Sequence, residues 1–180
     1  PNQELNNLTA RALTDFSPVI EDFRPDIVLV QGDTTTAMAS ALASFYKKIP
    51  VGHVEAGLRS FNRYSPFPEE VNRRLITSIA TYHFPPTEAA AKQLIQEGIP
   101  EANICQTGNT VIDALYMLLE QSADYDWSLF DDSRRLLLVT AHRRENHGKP
   151  LQNICRALKE IVQTHEGVEI AFPVHLNPNV

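Results

Sequence analysis

Leu5, Leu8, Ala12, Leu13, Phe16, Val19, Ile20 and Phe23 recur at three- and four-residue intervals, which predicts an amphipathic helix closed by Pro25. Asp26 to Gly32 breaks that pattern with a continuous apolar run between turn residues, as in a parallel strand buried on both faces. A helix is then expected from Asp33–Thr36 to about Tyr46, with Ala37, Ala39, Ala41, Ala43 and Ser44 small enough to lie close on a sheet. Val51 to Glu55 reads as the next strand, and 56–67, without period, as a surface loop. Pro68 sits where a first helical position tolerates proline, with Glu69 and Glu70 in the first turn and Val71, Leu75, Ile76 and Ile79 as the apolar face.

Further along, the pattern predicts a strand over 82–85, a helix over 87–97 stopped by Gly98, and a strand over 103–107. Thr110 with Asp113 resembles a capping box opening a helix through Leu119. Ser122 to Ser133 is acidic, lacks either period and holds the only tryptophan, Trp127; it reads as a linker. Leu136 to Thr140 is a fresh apolar strand, followed by a loop carrying His142-Arg-Arg-Glu-Asn146. Leu151, Ile154, Cys155, Leu158, Ile161 and Val162 mark a helix, and Val168 to Val174 the last strand. Strict alternation of strand and helix is the signature of an α/β fold, with parallel sheets and helices on both faces. The expected division is a first domain over 1–121, a linker over 122–134 and a second domain from 135 to 180.

Composition narrows the function. No apolar run approaches the roughly 18 residues that span a bilayer, and no basic, apolar leader opens the chain, so a cytoplasmic protein without membrane contact is expected. The net charge is −6 and basic residues are scattered, which argues against a nucleic-acid surface. Cys105 and Cys155 lack metal-ligand spacing and are expected to be buried, reduced thiols. Pro1 at the start and a chain end just past a strand suggest a piece of a longer protein.

The chemistry is expected at strand ends. Parallel strands joined by right-handed crossovers point one way, so Asp33 and Glu55 share one sheet edge. If their strands are neighbours, the carboxylates stand roughly 5–10 Å apart. His142 occupies the corresponding edge of the second sheet, and two carboxylates with an imidazole make a workable acid/base set. Duller readings stand beside each residue. Asp33 can be the N-cap of its helix, and the Thr34–Thr36 hydroxyls can open the helix or contact an anion. Glu55 can form a structural ion pair with Arg59, and Glu69 and Glu70 can simply complement a helix dipole. The cationic loop around His142 suits a phosphate or is merely solvated. His53, His83 and His165 read as core or surface histidines. There is no GxGxxG, Walker loop or metal-ligand spacing, so no nicotinamide, P-loop nucleotide or metal site is supported.

Six ordered motifs add a resemblance: Gly32-Asp-Thr-Thr-Thr36, His53-Val-Glu-Ala-Gly-Leu-Arg59, Ser65-Pro-Phe-Pro-Glu-Glu70 with Asn72-Arg73, Thr107-Gly-Asn-Thr-Val-Ile-Asp113, His142-Arg-Arg-Glu145 and Pro173 to Val180. In this order they resemble the bacterial non-hydrolysing UDP-N-acetylglucosamine 2-epimerases over essentially the whole chain. The resemblance implies two Rossmann-like domains facing a cleft (the GT-B plan), both incomplete here, and a homodimeric full-length protein. It implies interconversion of UDP-N-acetylglucosamine and UDP-N-acetylmannosamine, without cofactor or metal, by elimination and re-addition of UDP. Asp33, Glu55 and Glu69 match the family's catalytic carboxylates, and His142 its histidine near the diphosphate. Arg143 and His175, with Glu69, match positions that bind a second, activating substrate molecule. The family's opening Gly-Thr-Arg-Pro-Glu strand end and its later serine-glycine-glycine segment with a following glutamate, both at the UDP, are not in this sequence. Rival readings are a hydrolysing epimerase or GT-B glycosyltransferase, or a UDP-sugar-binding module without turnover.

Overall fold

The computed structural model describes residues 4–121, 128–141 and 146–174, which form two compact units, Pro1–Glu120 and Gln121–Val180. In the first, α1 (Leu5–Phe23), β1 (Val28–Gln31), α2 (Thr35–Tyr46), β2 (Val51–Val54), α3 (Glu69–Ile79), β3 (Tyr82–Phe84), α4 (Glu88–Gln96) and α5 (Thr110–Gln121) follow in order. The strands make a three-stranded parallel sheet in the order β1-β2-β3. The second unit holds β4 (Arg135–Leu138), α6 (Lys149–Thr164) and β5 (Val168–Ala171), with β4 and β5 paired parallel. The α/β class with parallel sheets is therefore observed. Among the described residues no helix is long and apolar enough to cross a membrane.

The small-residue stripe of α2 does what its composition implies. Ala37, Ala39, Ala41, Ala43 and Ser44 are all buried, and Ala37 and Ala41 pack with Val30, Val51 and Ile76 into the core of this sheet. Close approach without large side chains lets α2 contact β1, β2, α1 and α3 at once. By contrast α5 buries no residue among those described, and Val111, Leu115, Tyr116 and Met117 stay exposed. In α6, Leu151, Ile154, Leu158 and Ile161 are half-buried toward the side facing β5, while Cys155 and Val162 are exposed.

Several boundaries differ from the expected ones, for local reasons. The strand expected over 103–107 is a 3₁₀ turn at Glu101–Asn103 followed by a single bridge, His83 to Ile104. Pro85 and Pro86 end β3 at Phe84 because proline has no N–H for the ladder, although Thr107 N–H still donates to Pro85 O at 3.1 Å. The strand expected to reach Val174 stops at Ala171, ahead of Pro173. Pro68 is the N-cap of α3 rather than its first residue. The capping box at Thr110 does not form: Thr110 is already helical, and Asn109 Oδ1 accepts the Val111 N–H at 3.1 Å. Cys105 and Cys155 are free but exposed, contrary to the buried thiols expected.

One turn is fixed by contact as well as by backbone. Gly57 has φ +85°, and a Cβ there would stand 2.3 Å from the Ala90 carbonyl oxygen of α4. Both features demand glycine. Gly57→Ala should therefore cost about 2 kcal/mol or more of unfolding free energy. Urea titration followed by circular dichroism measures it, and an unchanged midpoint would show that the 56–67 loop is not held against α4.

Candidate active site

β1 and β2 pair from Val28 with Val51 to Gln31 with Val54, and Gly32 N–H continues the ladder to Val54 O at 3.0 Å. Gly32 and Glu55 thus leave the same sheet edge side by side. Gly32 takes φ +69°, and its position faces Glu55, whose Oε2 would lie 3.8 Å from a Cβ built there. That is ordinary contact distance, so the backbone angle rather than crowding calls for glycine. Glu55 itself is a non-glycine residue at φ +67°. A conformation of this kind costs about 1–3 kcal/mol and needs support from its surroundings. The support is visible: the Glu55 and Ala56 N–H groups both donate to Phe84 O, at 3.0 and 3.3 Å. The Glu55 carboxylate is partly exposed and accepts no hydrogen bond among the described residues.

The ion pair held open between Glu55 and Arg59 is absent. Arg59 lies beyond the Gly57 turn and reaches α4 instead, where its Nε and Nη2 donate to Glu97 Oε1 and Oε2 at 2.8 and 2.6 Å. Nη2 also donates to Thr77 Oγ1 and Nη1 to Leu58 O. The Arg59 side chain is 1% exposed, so the pair is shielded. Glu97 is the C-cap of α4, an unfavourable end of the helix dipole for an anion, and Arg59 supplies the compensating cation. Its hydrogen bonds from Arg59 hold the Glu97 carboxyl below the usual range.

Asp33 is not an N-cap. Thr34 takes that role, its Oγ1 accepting the Ala37 N–H at 3.1 Å, while Thr35 is buried and Thr36 exposed. Freed from capping, the Asp33 carboxylate pairs with Arg73 Nη2, and its backbone carbonyl accepts from Asn72 Nδ2 at 2.9 Å. Both partners come from α3. The first turn of that helix separates its two carboxylates. Glu70 is 1% exposed; its Oε2 accepts the Ser60 N–H at 2.8 Å and the Ser60 hydroxyl at 3.1 Å, and its Oε1 accepts Arg74 Nε at 2.9 Å. Arg73 Nη1 stands 3.6 Å from the same carboxylate. Burial alone would raise the Glu70 carboxyl, but these donors and cations outweigh it and hold it below its usual range. Glu69, half-buried, differs: its Oε2 is buried with no hydrogen-bond partner among the described residues.

His53 and His83 are buried register partners on β2 and β3. Nε2–H of His53 donates to Gly32 O at 2.8 Å, which bonds the imidazole to the turn before Asp33. Burial pushes His53 down from 6.5 to about 4; the Gly32 carbonyl and Asp33 oppose that shift, while His83 and Arg59 reinforce it. His83 is likewise lowered, chiefly by burial. Both rings are neutral at pH 7, and each leaves a buried Nδ1 without a partner among the described residues.

The site residues expected in the second unit, His142, Arg143 and His175, lie outside the described residues, as does the 122–127 part of the expected linker. No group of three or more His, Cys, Asp or Glu able to hold a metal occurs among the described residues. Within the second unit, a concavity of about 920 Å³ near Arg135, His165 and Val168 opens at the amino ends of β4 and β5. Sequence reasoning treated Asn72 and Arg73 only as parts of a motif and missed Ser60. The available signal was spacing, because Glu69, Asn72 and Arg73 stand at i, i+3 and i+4 on one helix face.

Carboxylates gathered where neighbouring parallel strands end define an α/β protein with its candidate chemistry at the sheet edge. The chain belongs to the UDP-N-acetylglucosamine 2-epimerase family, whose model matches residues 1–180. It is 47% identical over its whole length to the UDP-N-acetylglucosamine 2-epimerase of Escherichia coli K12, covering 50% of that protein. It also resembles the crystal structure of the Neisseria meningitidis UDP-GlcNAc 2-epimerase bound to UDP-GlcNAc, at 46% identity and a TM-score of 0.95 over 100% of this chain and 51% of the other. The Methanocaldococcus jannaschii UDP-GlcNAc 2-epimerase in complex with UDP-GlcNAc and UDP is 38% identical, with a TM-score of 0.83 over 97% and 49%. The chain spans about half the length of the curated relatives it matches.

The histidine shifts carry a stability consequence. Between the unfolded value of 6.5 and the folded value of about 4, the unfolded chain binds more protons than the folded one. The contribution of His53 is therefore fully present above about pH 6.5 and is lost as pH falls toward about 4, by about 3 kcal/mol. His83 adds in the same direction. Urea unfolding at a series of pH values across this window should show the decline, and His53→Gln should flatten it. Equal slopes in the two proteins would mean that His53 is not buried neutral.

Proposed function

We propose that the protein carrying this chain interconverts UDP-N-acetylglucosamine and UDP-N-acetylmannosamine without net hydrolysis. A base takes the proton from sugar C2 while the C1–O bond breaks and UDP leaves with the bonding electrons. The glycal so formed then regains UDP at C1 and a proton on the opposite face of C2. The chemistry needs two acid/base groups flanking C2 and groups that hold the departing diphosphate beside the sugar. Asp33, Glu55 and Glu69 divide the first task, and His142 serves the second.

The observation that carries this reading is Glu55. It is a non-glycine residue at φ +67°, at the end of β2, with a carboxylate that no described group occupies. Strain concentrated at such a residue is characteristic of functional sites. Glu69 supports it with its buried, unpartnered Oε2. The neighbouring Glu70 and Glu97 carboxylates are saturated with hydrogen bonds and have structural work instead. Family membership and the substrate named with two relatives' structures support the choice of nucleotide sugar.

Domains over 1–121 and 135–180, joined by 122–134, are parts of two Rossmann-like folds of the full-length protein. That protein is a cytoplasmic homodimer supplying cell-surface polysaccharide synthesis. Arg143 and His175, with Glu69, receive a second, activating UDP-N-acetylglucosamine. With about half the family's length, the 180-residue chain alone lacks the rest of the diphosphate site and does not turn over.

Incubating the full-length protein with UDP-N-acetylglucosamine in deuterium oxide tests the proposal. The expected product is UDP-N-acetylmannosamine carrying deuterium at C2. Absence of deuterium would exclude proton transfer at that carbon, and release of free N-acetylmannosamine with UDP would mark a hydrolysing enzyme. Asp33→Asn and Glu55→Gln should each lower kcat by roughly 10²-fold or more, the scale of lost acid/base catalysis. Near-normal turnover would remove that residue from the catalytic set.

A further inference from the structure

We infer that Arg73 is a positioning residue, which fixes the Asp33 carboxylate relative to Glu69. This rests on the catalytic role proposed above for Asp33. The geometry begins with the helix period: Glu69, Asn72 and Arg73 occupy positions i, i+3 and i+4 of α3 and share a face. That face meets the edge of the sheet at Asp33. Asn72, 5% exposed, donates to the Asp33 backbone carbonyl at 2.9 Å, while Arg73 Nη2 takes the Asp33 carboxylate. One helix therefore holds Asp33 by both main chain and side chain, one turn from its own Glu69.

Arg73 is in turn held from behind. Its other terminal nitrogen, Nη1, stands 3.6 Å from the buried Glu70 carboxylate, which Ser60 and Arg74 fix in place. The Arg73 side chain is only 13% exposed, so solvent competes weakly for it. A planar guanidinium that spans two carboxylates defines direction as well as charge. A lysine ammonium is a point charge and can neutralise Asp33 without fixing its orientation. The fork links the 56–67 loop, through Ser60 and Glu70, to the acid/base group on β1's exit.

The test is a double-mutant cycle in the full-length protein, with Arg73→Gln, Asp33→Asn and the pair. Arg73→Gln should lower kcat about 10-fold or more with KM within about 3-fold, because geometry at the reacting group is lost rather than substrate binding. In the Asp33→Asn background the same change should cost less than about 2-fold, since nothing remains to be positioned. Arg73→Lys should recover only part of the loss, and it also serves if the glutamine variant does not fold. An equal penalty in both backgrounds would mean that Arg73 acts through general stability, and that overturns the inference. So would an unchanged kcat in Arg73→Gln. If Asp33→Asn alone is fully active, the catalytic reading of Asp33 fails first, a result distinct from either.

Discussion

The parallel register of β1 and β2 is the constraint on which the rest of this edge depends. Pairing Gln31 with Val54 brings Gly32 and Glu55 out of the sheet together, and the Gly32 N–H bond to Val54 O holds the exit closed. A slip of one residue would turn His53 to the other face and remove its Nε2 from the Gly32 carbonyl. It would also separate Asp33 from the α3 residues that grip it. The carboxylate edge is thus a consequence of backbone pairing before it is a matter of side-chain chemistry.

Around that edge, hydrogen-bond saturation separates the acidic residues by role. Glu70 and Glu97 are each surrounded by arginine and neutral donors, and both are held ionised below the usual range. Removing one partner from such a shielded pair leaves an uncompensated charge, so they tie loop to helix. Glu55 and Glu69 lack such partners among the described residues, although both are partly buried. Asp33 stands between the two groups, engaged by Arg73 yet still more than a quarter exposed at its side chain. Acid/base work requires a carboxylate with capacity left to exchange a proton, and only the less saturated residues have it.

Much of this architecture was legible because its signals are local. Apolar runs between turn residues marked β1 and β2, and the alanine stripe of α2 announced close packing on the sheet. The expectation that Asp33 and Glu55 share an edge needed only strand direction and adjacency. Less legible was anything decided by a distant partner. Arg59 chose Glu97, thirty-eight positions away, over Glu55, four positions away, because the Gly57 turn carries it toward α4. The cap of α2 falls on Thr34, one residue past the candidate Asp33, and Asn109 rather than Thr110 takes the Val111 N–H, because neighbouring side chains compete for the same N–H groups. Cysteine exposure escaped prediction because it depends on which helix faces are covered. His142, Arg143 and His175 lie outside the described residues.

The neutrality of His53 reconciles these findings. The imidazole N–H of His53 donates to the Gly32 carbonyl and so ties the left-handed turn to the sheet from within. A lysine or arginine donor there would bring a fixed cation beside Asp33 and Glu55. It would compete with Arg73 for Asp33 and draw the Glu55 carboxylate into a structural pair. Burial keeps the imidazole uncharged, so the turn is supported without that competition. The cost is a buried Nδ1 without a described partner and a loss of stability toward acid. In exchange the strained strand end leaves the Glu55 carboxylate without a hydrogen-bond partner among the described residues, which is what the role proposed for it requires.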